Sequence, residues 1–380
     1  MEPVAIVGVG MTKFERDRVR DTFGDLVFEA CTRALDDAGM TIDDIDIVLT
    51  GSNDFFDGRT ISSMAIMDAC GSYDKNVSTV EGDGTFGAAH AVMRVLAGWG
   101  TCLYCAHHKG SESVMPLITN AMFDPIYERF LGIDSVTSAA LQARAYMDRY
   151  GVTEEQCAQV SVKNHGNAFK NPYAQLPLQL TIEDVLASPY VADPIKLLDC
   201  CPISDGASAV VIAGAQRAKA LDAKPAWVKG IGYNCDAYHL GDRDLSKVDA
   251  LQAASKTAYA QAGISDPAKE VDLAEVHDTF TYLELMAIEG LGLCRMGEAG
   301  EFTAFGNTAQ DGRLPVNASG GCISSNPVLV AGLNSIIECA LQIRGDAGEH
   351  QVDGVKTAVA QGVNGPCGQS QCVWVLGGDE

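Results

Sequence analysis

Apolar positions run without interruption through Val4-Ala5-Ile6-Val7-Gly8-Val9-Gly10, which reads as a buried strand. From Phe28 to Gly39 they recur at helical spacing, and Ile42 to Leu49 is a short acidic link into another strand. The same order returns later. Trp227 to Gly232 is strand-like, Leu251 to Gly263 is a helix ending in glycine, and Val271 to His277 is an acidic link followed by a strand. Gly39 and Gly263 therefore mark equivalent helix ends, because the position after a helix favours a left-handed glycine. Each half closes on a strand behind a Gly-containing turn, at Asp205–Ala213 and Gly368–Leu376.

This alternation in duplicate predicts two α/β halves with buried sheets packed together, residues 1–220 and 221–380. Residues of about 111–200 break the pattern. Pro116, Pro125, Pro172, Pro177, Pro189 and Pro194 fall there among short helix-like runs, so an inserted loop domain is expected. Long insertions in α/β folds carry substrate contacts.

Composition narrows the function. A chain of 380 residues that is 47% hydrophobic carries enough apolar side chain for two cores, which excludes disorder. Net charge is -23, so a general nucleic-acid or anionic-membrane surface is excluded. A small anionic ligand is not, since a few local bases and backbone N–H groups can hold one. No window approaches the roughly 18 apolar residues of a membrane span. No basic, cleavable leader is visible at the N-terminus, so a cytoplasmic location is expected, with the 13 cysteines reduced.

The C-x-x-C spacing of Cys102 and Cys105 follows a helix-like stretch, Ala88 to Gly98, and has no second ligand pair; it reads as a core strand, and no metal site is expected. Gly8 and Gly10 fail the dinucleotide fingerprint because position 13 is Lys, which leaves a tight turn. His277-Asp278 stands at a strand end, entering a helix from Tyr282 to Gly290, where open α/β sheets place ligands. The pair is either an oriented acid/base or a satisfied core histidine. Asn317 to Pro327 is a polar, Gly-rich loop before a helix from Val328 to Arg344, a setting that favours an oxyanion. Gly365-Pro366-Cys367-Gly368 is a second such loop, with a thiol.

With Ile6–Thr12, Ser161–Pro172, Asp205-Gly-Ala, Val276–Phe280, Leu291–Gly300, Asn317–Gly321 and Gln342–Gly348 in this order, the whole chain resembles the thiolase superfamily, in its sterol-carrier-protein-type and archaeal-type branch. The resemblance implies two mixed five-stranded α/β halves, layered α/β/α/β/α, with an inserted loop domain. It also implies an acyl-CoA substrate, carbon–carbon bond formation or cleavage beside its carbonyl, and coenzyme A as substrate or product with no prosthetic group. The family's nucleophilic Cys falls at Gly84, and its Gly-His-Pro motif at Ser325-Asn326-Pro327. His-Asp-x-Phe survives as His277 to Phe280, and a late catalytic-Cys loop corresponds loosely to Cys367.

Three routes stay open: another thiol as nucleophile, a retro-aldol cleavage needing only a base and an oxyanion hole, or CoA-ester binding without catalysis. Thiolase-like aldolases place Tyr where this chain has His277 and Leu329, which pulls the sequence toward the thiolases. In this frame His277 is the acid/base or oxyanion donor, with Asp278 orienting it. Asn326 donates to the thioester oxygen, Gly84 and Gly368 offer oxyanion N–H groups, and Cys367 is the reactive thiol within hydrogen-bond reach of His277. Cys322 is its runner-up. Lys163, His165 and Lys170, on a helix from Glu154 to Phe169, are expected on the CoA side, and Ser319 and Cys322 at the substrate. A homodimer is expected through a sheet edge at Cys102–Ala106. Similar large subunits that act on acyl- or aroyl-succinyl-CoA esters imply a small zinc-ribbon/OB-fold partner.

Overall fold

The computed structural model describes residues 3–379. Its strands are β1 (Val4–Met11), β2 (Ile47–Gly51), β3 (Asn76–Val80), β4 (Cys102–Lys109), β5 (Tyr190–Ala192), β6 (Ile195–Lys196), β7 (Asp205–Gly214), β8 (Ala226–Cys235), β9 (Leu273–Glu275), β10 (Thr357–Asn364) and β11 (Ser370–Gly377). Nine of them form one mixed sheet in the order β3-β2-β4-β7-β1-β8-β11-β10-β9. Five come from the early part of the chain and four from the late part. Among the described residues the two groups of strands pair only at Ala5–Trp227 and Ile6–Ala226. Val316 adds a parallel bridge to Ala274 at the far edge, where a fifth late strand would lie. Helices Gly84–Leu96 and Ala331–Arg344 pack in the buried layer between the two groups. The two five-stranded sheets that the resemblance implies are thus joined into one nine-stranded sheet, while the expected alternation of sheet and helix layers is kept.

Gly8 and Gly10 lie inside β1, so the tight turn expected there is corrected. A Cβ on Gly8 would stand 2.2 Å from the Ala34 carbonyl oxygen, and one on Gly10 2.2 Å from that of Ala30. The backbone of helix Phe23–Ala38 rests directly on the strand. Gly230 and Gly232 of β8 repeat the device against Ala258 and Ala254 of helix Asp249–Ala262, at 2.1 Å each. Both helices end on the glycines read as equivalent, Gly39 at φ 63° and Gly263 at φ 74°. Helix Phe23–Ala38 begins five residues before its periodicity shows, because Thr22 and Asp25 form a capping box. The helix expected from Val328 begins instead at Ala331, since Pro327 first makes a turn in which Val330 N–H donates to its carbonyl.

β4 is interior, between β2 and β7, with all eight residues buried. Cys102–Ala106 is therefore no edge; the free edge of the early strands is β3, where Val77 is 40% exposed. Alternation along β4 sends Cys102 to one face and Cys105 to the other, so the C-x-x-C pair cannot close on one ion. Among the described residues no helix is long and apolar enough to cross a membrane.

Candidate active site

β9 stops at Glu275, and the chain passes through His277 into helix Thr281–Gly290. The His277 N–H donates to Gln361 Oε1 at 2.8 Å, which ties this loop to β10. Its Nε2 lies 3.1 Å from Thr279 Oγ1, and its Nδ1 3.8 Å from Cys322 Sγ. Burial pushes the imidazole down to about 4, so it is neutral at neutral pH. His277, Gln361, Arg243, Cys367 and Gly368 line one narrow cleft of about 30 Å³, the share of roughly one water.

Asp278 does not orient the imidazole. Its carboxylate turns away and accepts the Cys322 N–H at 2.5 Å and Asn164 Nδ2 at 2.6 Å. It thereby shapes the turn Gly321–Ser324, where a Cβ on Gly321 (φ 61°) would lie 2.3 Å from Asp278 Oδ2. Burial, with Glu284 close by, pushes Asp278 up to about 7. Glu284 in turn accepts from Asn164 at 2.7 Å and Asn317 at 2.8 Å and pairs with Lys163 at 3.1 Å.

That network removes Lys163 from the CoA side. Its Nζ also donates to the Val316 carbonyl at 2.6 Å, and the side chain is 7% exposed. His165 is buried as well, with Nδ1 on the Leu176 carbonyl at 2.8 Å. His165 lies on the buried face of helix Glu154–Asn167, while Lys163, two residues away on another face, lies beside a cavity of about 320 Å³ that Asn167 and Gln310 also line. Lys170 remains exposed, but lines a separate open cavity of about 1190 Å³ with Lys269 and Arg313.

Cys367 sits at φ 52°, its loop held by Arg243, which donates to the carbonyls of Pro366 at 2.9 Å and Cys367 at 2.7 Å. The thiol donates to the Ser138 carbonyl at 3.3 Å, and burial pushes it up to about 11. Cys367 and His277 share the cleft, yet the thiol that meets the imidazole is Cys322, the runner-up; burial pushes that thiol up too. Ser319 is engaged by Glu275, its hydroxyl 2.5 Å from Oε2, in an adjoining cavity that Cys322 also lines.

Gly84 opens helix Gly84–Leu96, and its space is closed. A Cβ there would lie 2.5 Å from Leu333 Cβ and 2.8 Å from Leu333 N. The buried Asp83 carboxylate accepts the Thr85 and Gly332 N–H groups at 3.0 and 2.8 Å and also engages the Gly84 N–H, so this helix end offers no oxyanion donor. Asn326 gives its amide to Cys201 Sγ at 3.1 Å, while its buried Oδ1 has no hydrogen-bond partner. Asn326 thus faces Cys201 and is absent from the lining of the His277 cleft. Sequence reading missed Cys201, Thr279, Gln361 and Arg243. The only signal was the Cys200-Cys201 pair just ahead of Asp205-Gly-Ala.

Residues 232–378 match the family described as Thiolase C-terminal domain-like. An acetyl-CoA acetyltransferase of Methanothermobacter thermautotrophicus is 35% identical, covering 97% of this chain and 98% of that one. The benzoylsuccinyl-CoA thiolase subunit BbsB of Thauera aromatica is 31% identical over 96% of this chain and 95% of its own. Among solved structures, an Ltp2-ChsH2(DUF35) aldolase superposes with a TM-score of 0.85 at 28% identity, covering 99% of this chain and 97% of that chain.

Proposed function

The chain belongs to the thiolase superfamily, and from that premise we propose that it cleaves or forms a carbon–carbon bond beside a CoA thioester by proton transfer, as a retro-aldol lyase of a bulky β-hydroxyacyl-CoA. The observation that carries this is the closure of the Gly84 site by Leu333, which leaves no room for the acyl-cysteine of a thiolase. Neutral His277 accepts the β-hydroxyl proton. The Cα–Cβ bond then breaks, its electron pair enters the thioester as an enolate, and the returned proton lands on Cα. Products are a carbonyl compound and a shortened acyl-CoA. The Gly368 N–H, in the same cleft, is the proposed oxyanion donor. Similarity to the benzoylsuccinyl-CoA thiolase subunit supports a bulky acyl group, and similarity to the Ltp2-ChsH2(DUF35) aldolase supports a DUF35 partner.

Acyl transfer is the second reading, favoured by one contact, the 3.8 Å approach of Cys322 Sγ to His277 Nδ1. A retro-aldol enzyme releases a carbonyl product from a β-hydroxyacyl-CoA without consuming free CoA, and Cys322→Ala and Cys367→Ala keep that activity. A strict requirement for free CoA, with an acyl mass on Cys322 or Cys367, would overturn it in favour of acyl transfer.

A further inference from the structure

Away from the cleft, three thiols converge. Cys31 lies on helix Phe23–Ala38, Cys105 on β4, and Cys70 in the turn that follows the short helix Ser62–Ala65. All three are buried. Their sulfurs lie within 4.8 Å of one another, with Cys70 and Cys105 3.2 Å apart. We propose that these sulfurs form a structural binding site for a soft divalent d¹⁰ ion of the zinc class.

The dimensions fit. Zinc–sulfur bonds of about 2.3 Å at tetrahedral corners separate sulfurs by about 3.8 Å. The Cys70–Cys105 separation of 3.2 Å lies a little below that value, and no pair of the three sulfurs is more than 4.8 Å apart. A disulfide would need about 2.05 Å and would leave the third thiol out. Donor type points the same way, because buried thiolates select soft ions over magnesium or calcium. Binding sends three thiol protons to solvent, and a divalent ion leaves the set with one net negative charge in place of three.

His107 is an independent observation. It lies two residues beyond Cys105, on the same face of β4, fully buried. Neither ring nitrogen makes a hydrogen bond, and its ion-pair approach is to Asp57 Oδ2 at 3.4 Å. An imidazole buried without a hydrogen bond is costly; its ring nitrogens lie outside the group formed by the three sulfurs, so beside a metal thiolate His107 serves as an outer partner, with Asp57 next to it. The ion would pin the turn carrying Cys70 to both a helix and the middle of the sheet.

The test is cadmium titration of the full chain, stripped of metal and kept reduced. One cadmium per chain, with an ultraviolet thiolate-to-cadmium band and a raised Tm, is expected. Cys70→Ala and Cys105→Ala lose the band, while Cys102→Ala, on the same strand but the opposite face, keeps it. Wild-type protein that shows no band, variants that all retain it, or a Cys70–Cys105 disulfide in the protein as isolated would each overturn the site. The wild-type stoichiometry decides even where a variant fails to fold.

Discussion

The unit of β1 with helix Phe23–Ala38 and the unit of β8 with helix Asp249–Ala262 are near copies in their packing, but the site ends beyond them are not. In both units a pair of strand glycines lets a helix backbone rest on the sheet, and a left-handed glycine ends the helix. At the early site end, Gly84 is sealed under Leu333. At the late one, His277, Cys367 and Gly368 frame a cleft. What holds the sheet to its helices is the same in both units; what lies at their site ends is not. A reactive position is lost with one side chain, whereas a 2.2 Å approach to a backbone oxygen tolerates none.

The largest test of that contrast is His277→Ala. It should lower kcat/KM by about 10²- to 10⁴-fold while leaving Tm nearly unchanged, as expected for a general base. An equal loss of stability would make His277 part of the scaffold. Next come Gly10→Ala and Gly232→Ala, which should each cost about 1–3 kcal/mol by overpacking, measured as denaturant midpoints. The contrast predicts matched losses; a large difference between them would break the equivalence of the two units.

A further effect is in pH. His277 is active when neutral, so kcat/KM should hold down to about pH 5 and fall as pH drops through about 4. Between that value and its ordinary 6.5 the unfolded chain binds more protons than the folded one, so His277 also subtracts stability as pH falls below 6.5. Above pH 6.5 it contributes to neither trend. An acid limb near 6.5 would mean that the imidazole is solvated in the working enzyme.

Period and punctuation made the scaffold legible. Gly39, Gly263 and the buried runs needed only local rules. That position 84 carries no reactive group was legible too, because Gly84 has no side chain to interpret. What stayed hidden was direction. Nothing local says that Asp278 turns toward Cys322 and away from His277, or that Lys163 is consumed by Glu284. Those choices are made by Asn164, Asn317 and the Gly321 turn, which come from distant segments and act only once the fold is closed. The same holds for Cys31, Cys70 and Cys105, whose spacing resembles no ligand motif.

The place of β1 in the sheet has a consequence for synthesis. Both of its neighbours arrive late: Val4 pairs with Gly214, and Ala5 with Trp227. While the ribosome adds those residues at about 5–20 per second, this apolar strand waits at least about ten seconds without a partner. The nascent chain must therefore shield its own first strand, by helix Phe23–Ala38 lying on Gly8 and Gly10 or by a chaperone, before the sheet has anything to offer it.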